Sequence, residues 1–167
     1  MIKVDNFSKE ELFSWLLDAS KLWLAHDGLW FQEVEKKFGL EVAIELDKKA
    51  WELFSPLEAK RIMERLKIEK NSGLSALAKA LKARLYTILN DDEIELKENK
   101  LIYTMKSCRV QEARERKKLQ PFPCKEVGIV EYSTFAKTID ERIKTNCLFC
   151  PPDKKRNSGW CSWLFEI

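Results

Sequence analysis

The stretch LNDDEIELKENKLIYTMKSC, residues 89–108, divides the chain into two kinds of sequence. Asn90-Asp91-Asp92 is a helix breaker. Past it, Ile94 and Leu96 alternate with Glu93, Glu95 and Lys97; beyond a Glu98-Asn99 turn, Leu101, Tyr103 and Met105 alternate with Ile102, Thr104 and Lys106. A period of two on both sides of a short polar turn predicts a β-hairpin. Before the breaker the apolar period is that of helices. The chain therefore reads as α+β in one domain, residues 1–167: a helical N-terminal half (1–90) packed with a small antiparallel sheet carrying two inserted helices (91–167).

Upstream, Phe7-Ser8-Lys9-Glu10-Glu11-Leu12 carries a helix start, with Ser8 as cap, Glu11 closing a capping box and Phe7 as staple onto Leu12. That helix is expected to end near Ala25, where His26-Asp27-Gly28 interrupts it. A second helix should then reach Phe38, closed by Gly39. A third is expected over 40–54. A fourth should start at Ser55-Pro56-Leu57-Glu58, with Pro56 in the first helical slot, and end near Ile68. The Asn71-Ser72-Gly73 turn leads into a helix with Leu74, Leu77, Leu81, Leu85 and Ile88 on one face.

Downstream, Arg109 to Leu119 reads as a basic amphipathic helix stopped by Pro121-Phe122-Pro123. Cys124 to Thr138 reads as a helix with Cys124, Val127, Gly128, Glu131 and Phe135 on one face. Two further strands are expected, one with Ile143, Thr145, Cys147 and Phe149 on a common face and one with Cys161, Trp163, Phe165 and Ile167. Pro151 to Gly159 links them.

Composition narrows the function classes. Thirty basic and twenty-seven acidic residues leave a net charge of +3, which exerts no general pull on nucleic acid or membranes. No apolar run approaches the roughly 20 residues that cross a bilayer, and Met1 to Asn6 has no apolar signal core. The expected location is the cytoplasm. The basic clusters Arg114, Arg116, Lys117, Lys118 and Lys154-Lys155-Arg156 lack interleaved aromatics, so they read as solvated faces and not as a nucleic-acid surface. No phosphate-binding glycine loop is present. The aromatic-rich helical half is compatible with a homodimer.

All five cysteines fall in the second half, as C-x15-C-x22-C-x2-C-x10-C at Cys108, Cys124, Cys147, Cys150 and Cys161. In a reducing compartment such cysteines serve as metal ligands or reactive thiols more often than as disulfides. Cys147-x2-Cys150 has the form of a metal knuckle, with Cys124 and Cys161 as partners and Cys108 in reserve. Zinc or an iron–sulfur cluster is the expected cofactor. Cysteine is also a small buried hydrophobe, a role natural for Cys147 and Cys161 on apolar strand faces.

Cys124 at a helix N-terminus should have a lowered thiol pKa. Glu131, two turns on, is placed as a general base with a raised pKa. His26, the sole histidine, beside Asp27 is the remaining candidate for acid–base work. Asp140 and Arg142 are placed to clamp a carboxylate substrate or to pair with each other.

Two stretches, LWLAHDGLWFQEVEKKFGLEVAIELDKKAWELFSPLEAKRIMERLKI (22–68) and CRVQEARERKKLQPFPCKEVGIVEYSTFAKTIDERIKTNCLFCPP (108–152), the latter with WCSW at 160–163, resemble an uncharacterised family of prokaryotic cytosolic proteins. The cysteine-bearing half is also loosely similar to aminothiazoline-carboxylate hydrolases. The resemblance implies an α+β domain in which His26-Asp27-Gly28, Glu131-Tyr132 and the cysteines carry the family motifs. The closer family implies no reaction; the looser likeness implies a hydrolase of a small cyclic amide or thiazoline, and Tyr132, Arg142 and Trp30 are the candidate substrate-binding residues. Glu141 stands where that family's pattern has proline. Two functions are therefore expected: a small-molecule-binding, hydrolase-like protein with a thiolate- or metal-centred site, or a non-catalytic module stapled by a Cys-ligated zinc or iron–sulfur group.

Overall fold

The computed structural model describes residues 4–154 and 158–167. After a 3-10 turn at Val4–Asn6 come α1 (Lys9–Phe38), α2 (Leu40–Leu66), α3 (Gly73–Leu81) and the short α4 (Tyr86–Leu89). The second half holds β1 (Asp92–Lys97), β2 (Lys100–Met105), α5 (Arg109–Arg116), α6 (Lys125–Ile139), β3 (Lys144–Phe149) and β4 (Cys161–Glu166). The fold is α+β, with a helical N-terminal half and one antiparallel sheet in the order β1-β2-β4-β3.

The start of α1 forms as its sequence requires. Ser8 Oγ accepts from Glu11 N at 3.1 Å, and Ser8 N donates to Glu11 Oε2 at 2.8 Å, while the Phe7 ring packs on Trp15. The expected break at His26-Asp27-Gly28 does not occur, and α1 runs unbroken through it. A helical Gly costs only about 1 kcal/mol against Ala, and here it sits where the helix turns its face to the interior. Likewise α2 runs through Ser55-Pro56. Proline removes one ladder hydrogen bond, but Trp51, Ser55, Ala59 and Ile62 on the same side are buried, and that packing holds the helix together. The true stop is Gly39, whose φ of 89° turns α1 into α2.

The helix expected over 74–88 is also two pieces. α3 ends at Leu81, and the Thr87 hydroxyl donates to the carbonyls of Lys82 and Arg84 (3.0 and 2.8 Å), satisfying acceptors that the helix end leaves open. This turn carries Arg84 into the interior.

In the sheet, Leu101 faces Phe165, Tyr103 faces Trp163 and Met105 faces Cys161. These six side chains form one face, packed with Phe135 and Ile139 of α6 and Leu77 and Leu81 of α3 into the main core. The predicted faces of β3 and α6 are the buried ones. α6 lies so close to β4 that a Cβ at Gly128 would stand 2.6 Å from Trp163 Cζ2. Gly159, at φ +149°, allows an equally close pass over the Met105 carbonyl, which accepts from Trp160 N at 2.8 Å.

No helix among the described residues is long and apolar enough to cross a membrane. Lys155 and Arg156, two of the three residues of the second basic cluster, lie outside the described residues.

Gly128→Ala should destabilise the protein by about 1–3 kcal/mol through overpacking against a buried indole, read as a lower urea midpoint at unchanged slope. An unaltered midpoint would contradict the close α6–β4 contact.

Candidate functional site

Between α1, α2, α5, α6 and the sheet lies a cavity of about 430 Å³, within the range of small-ligand sites. One wall is sulfur. Cys108 precedes α5, Cys124 occupies the cap position of α6, Cys150 follows β3, and Cys161 opens β4; all four line the cavity. Lys125 N donates to Pro151 O at 2.9 Å, fastening the start of α6 to the segment that carries Cys150. Gln111, fully buried on α5, fixes the other approach. Its amide donates to Phe122 O (2.8 Å) and accepts from Phe122 N (3.0 Å), and Nε2 lies 3.6 Å from Cys124 Sγ.

Cys124 Sγ stands 3.3 Å from Cys150 Sγ. Hydrogen bonding from the Cys150 thiol pulls the Cys124 thiol below its ordinary pKa against the cost of burial, with Gln111 and the α6 amide end adding to the effect. The same bond, with one to Cys161, drives Cys150 strongly upward. Burial pushes Cys108 up to about 12. The wall thus holds one cysteine favoured toward thiolate, Cys124, beside two, Cys108 and Cys150, pushed toward the neutral thiol.

Opposite stand carboxylates. Burial raises Asp27, and it pushes Asp47 up to about 7 with help from the neighbouring charges of Asp27 and Glu131. Glu131 is not free to act as a base. Its Oε1 is 2.6 Å from Arg84 Nη2, and Arg84 also holds Glu58, with Nε donating to Oε2 at 2.9 Å. Burial pushes the Glu131 carboxyl up while the adjacent guanidinium opposes it. Arg84 is 1 % exposed and boxed by the rings of Trp51, Tyr86, Tyr132 and Phe135, 4.9–5.8 Å from its Cζ.

The structure brings together Cys108, Cys124, Cys150, Cys161, Glu131, Tyr132 and Asp27. Others stand apart. Cys147 is on β3 opposite Trp163, outside the cavity, and burial pushes it up to about 11. The reason is geometric: in extended chain, residues three apart are separated by roughly 10 Å, so Cys147 and Cys150 do not close as one knuckle, and Cys108 takes the fourth place. His26 and Trp30 are exposed and do not line the cavity, each turned about 100° around α1 from its neighbour Asp27 or Phe31, which do. Arg142 is committed to Asp140, with Nε and Nη2 2.9 and 2.6 Å from its carboxylate oxygens, and it does not line the cavity. Asp140, held near 2 chiefly by Arg142, also accepts from Gly73 N at 3.0 Å and so pins the α6–β3 turn to the start of α3.

Arg114, read from sequence as part of a basic surface, is buried. It donates to Gln120 O (2.6 Å) and grips Glu35 of α1 through both terminal nitrogens (2.8 and 3.0 Å). Sequence reasoning missed Arg84, Asp47 and Gln111. Polar residues inside otherwise apolar stretches were the available signal. Among the described residues, no three His, Cys, Asp or Glu side chains stand close enough, as arranged, to hold a metal ion.

A thiol- and carboxylate-lined cavity within an α+β fold is the class the geometry defines. The chain belongs to the family of unknown function DUF6125, whose model matches residues 5–167. No curated protein and no solved structure matches it.

Arg84→Met should cost about 3–5 kcal/mol by leaving Glu58 and Glu131 buried and unpaired, measured by urea unfolding; a loss below about 1 kcal/mol would contradict the network. For Asp47, a folded-state pKa above the unfolded 3.8 means that folding takes up a proton between 3.8 and about 7, so this group's contribution falls as pH rises through that window. Asp47→Asn should therefore gain stability over the wild type progressively from pH 3.8 to about 7 and hold that gain above it. A pH-independent difference would refute the shift.

Proposed function

We propose that the protein binds a small molecule in this cavity and acts on it through the Cys124 thiolate, as a hydrolase-like cytoplasmic enzyme. The observation that carries this reading is a thiolate-favoured cysteine facing a carboxyl group whose pKa lies near neutrality, across a cavity of ligand size. Cys124 Sγ adds to an electrophilic carbonyl or C=N carbon, as in a cyclic amide or thiazoline. Asp47, protonated near neutral pH, supplies the proton that the leaving nitrogen or sulfur needs, and water then releases the acyl group from sulfur. Tyr132, Phe31 and Trp51 offer apolar surface for the remainder of the ligand, and Asp27 offers a charged anchor.

A second reading is favoured by the convergence of four sulfurs from four different elements. Cys108, Cys124, Cys150 and Cys161 would hold zinc or an iron–sulfur cluster if the four sulfurs drew closer together, making the site a metal-centred binding or sensing module. Trp163 Nε1, buried beside the sulfurs with no protein partner, suits a donor to metal-bound sulfur.

Limited alkylation with iodoacetamide at neutral pH, followed by peptide mass spectrometry, separates the two. The enzyme reading predicts that Cys124 is labelled first, and that Cys124→Ser folds but loses that label. Native mass spectrometry showing one zinc or one cluster per chain, with all four wall cysteines protected, would replace it with the metal reading.

A further inference from the structure

Cys124 Sγ and Cys150 Sγ face each other at 3.3 Å across 26 residues of chain. A disulfide has an S–S length of about 2.05 Å, so closing one asks each sulfur to travel roughly 0.6 Å, within reach of side-chain torsion. Hydrogen bonds hold the two segments in register. Lys125 N donates to Pro151 O at 2.9 Å, joining the residue after Cys124 to the residue after Cys150. The Asp153 carboxylate accepts from Cys150 N at 3.3 Å and from Lys125 Nζ at 2.9 Å, tying the same segments a second time. Asp153 N in turn donates to Cys150 O at 2.9 Å. The two cysteines differ in access. Cys150 is 1 % exposed, whereas Cys124 is partly exposed, so a reagent in the cavity that both border meets Cys124 first.

We propose that Cys124 and Cys150 form a two-electron redox pair, in which Cys124 reduces a hydroperoxide admitted to the cavity and Cys150 resolves the product as a disulfide. The Cys124 sulfur attacks one peroxide oxygen. The S–O bond forms, the O–O bond breaks, and the alcohol (water, from hydrogen peroxide) leaves with the Cys124 proton. The Cys150 sulfur then attacks the Cys124 sulfenic acid; the S–S bond forms, and hydroxide leaves as water with the Cys150 proton. Two thiols together lose two electrons, and one peroxide gains them. A dithiol reductant restores the pair by exchange, taking the disulfide onto its own sulfurs.

Placement favours this pairing over the other cysteines. Redox-sensing cysteines are accessible thiols poised next to a resolving thiol. In a reducing compartment a disulfide is a transient catalytic or sensing step and not a staple. Cys147 lies outside the cavity, on β3 opposite Trp163. Cys161, the other sulfur beside Cys150, is carried by β4 in register with Met105, whereas the Cys124 and Cys150 segments are fastened directly to each other. The pair does not depend on the hydrolytic reading. It uses the same sulfur, but its readouts are covalent mass and thiol count, and closing the disulfide removes that sulfur as a nucleophile.

The reduced full-length chain, freed of reductant, is treated with a slight excess of hydrogen peroxide at neutral pH, unfolded, alkylated and mapped by peptide mass spectrometry. The expected product is lighter by two hydrogen atoms before alkylation and has three of its five cysteines alkylated. Its peptides carrying Cys124 and Cys150 should be joined, and dithiothreitol should separate them. In Cys150→Ser the resolving thiol is gone, so dimedone should trap the sulfenic acid on Cys124; Cys124→Ser should lose both the link and most of the peroxide consumption. Should a variant fail to fold, the wild-type map decides. A wild type with Cys124 driven to sulfinic acid, with Cys150 joined to Cys161 or to another chain, or with all five thiols intact would overturn the proposal. So would a folded Cys150→Ser protein whose Cys124 dimedone does not trap. Reduced protein that iodoacetamide labels first at Cys124, yet that forms no link with peroxide, overturns the redox pair and leaves the hydrolytic reading standing.

Discussion

A single buried guanidinium ties the molecule together. Arg84 leaves the turn between α3 and α4, lies between Glu58 of α2 and Glu131 of α6, and is ringed by Trp51, Tyr86, Tyr132 and Phe135. A charge taken out of water is tolerated only when it is paired and well surrounded. The pairing therefore dictates where α2 and α6 sit relative to each other and to the turn. Those two helices bound the cavity, and Glu131 belongs to both the network and the cavity wall. Placing the cation there also sets the local field: it opposes the upward push of burial on the Glu131 carboxyl, and negative charge at Glu131 in turn helps lift Asp47 toward neutrality.

The sulfur wall depends on this frame. Cys124 gains its thiolate preference from position: the cap of α6, the Cys150 thiol at 3.3 Å and the Gln111 amide. Gln111 and Cys150 lie 13 and 26 residues from Cys124 in sequence. The Lys125–Pro151 hydrogen bond and the Gln111–Phe122 pair hold the two loops in place. Polarity across the cavity, with thiolate on one side and protonatable carboxyls on the other, is the arrangement that covalent acyl chemistry uses.

Much of the fold was legible because periodicity and punctuation are local. The capping box at Ser8, the stop at Gly39, the Glu98-Asn99 hairpin and the alternating faces of β3 and β4 each follow from residues within a few positions. Local signals also misled where packing outweighed them, as in the breaks expected at Gly28 and Pro56, which long helices with one buried side absorb. Convergence of the cysteines was legible only in part. Spacing singled out Cys147-x2-Cys150, but extended chain separates that pair and draws in Cys108 instead. Arg84, Asp47 and Gln111 were hard to read because their importance comes from burial and from partners such as Glu58, Glu131 and Phe122, 11 to 84 residues away, which leave at most the faint trace of a polar residue in a more apolar stretch. Arg114 shows the same lesson in reverse, since a basic residue within a basic run turned out to be an interior clamp.

The central claim is that position favours the thiolate form at Cys124 over Cys108 and Cys150 on the same cavity wall. Ultraviolet thiolate absorbance, followed as pH is raised through the neutral range, tests it most directly. The account predicts a first step below the free-thiol value of about 8.5, present in the wild type, absent in Cys124→Ser and weakened in Gln111→Leu. A wild-type protein whose cysteines all titrate at or above that value would contradict it.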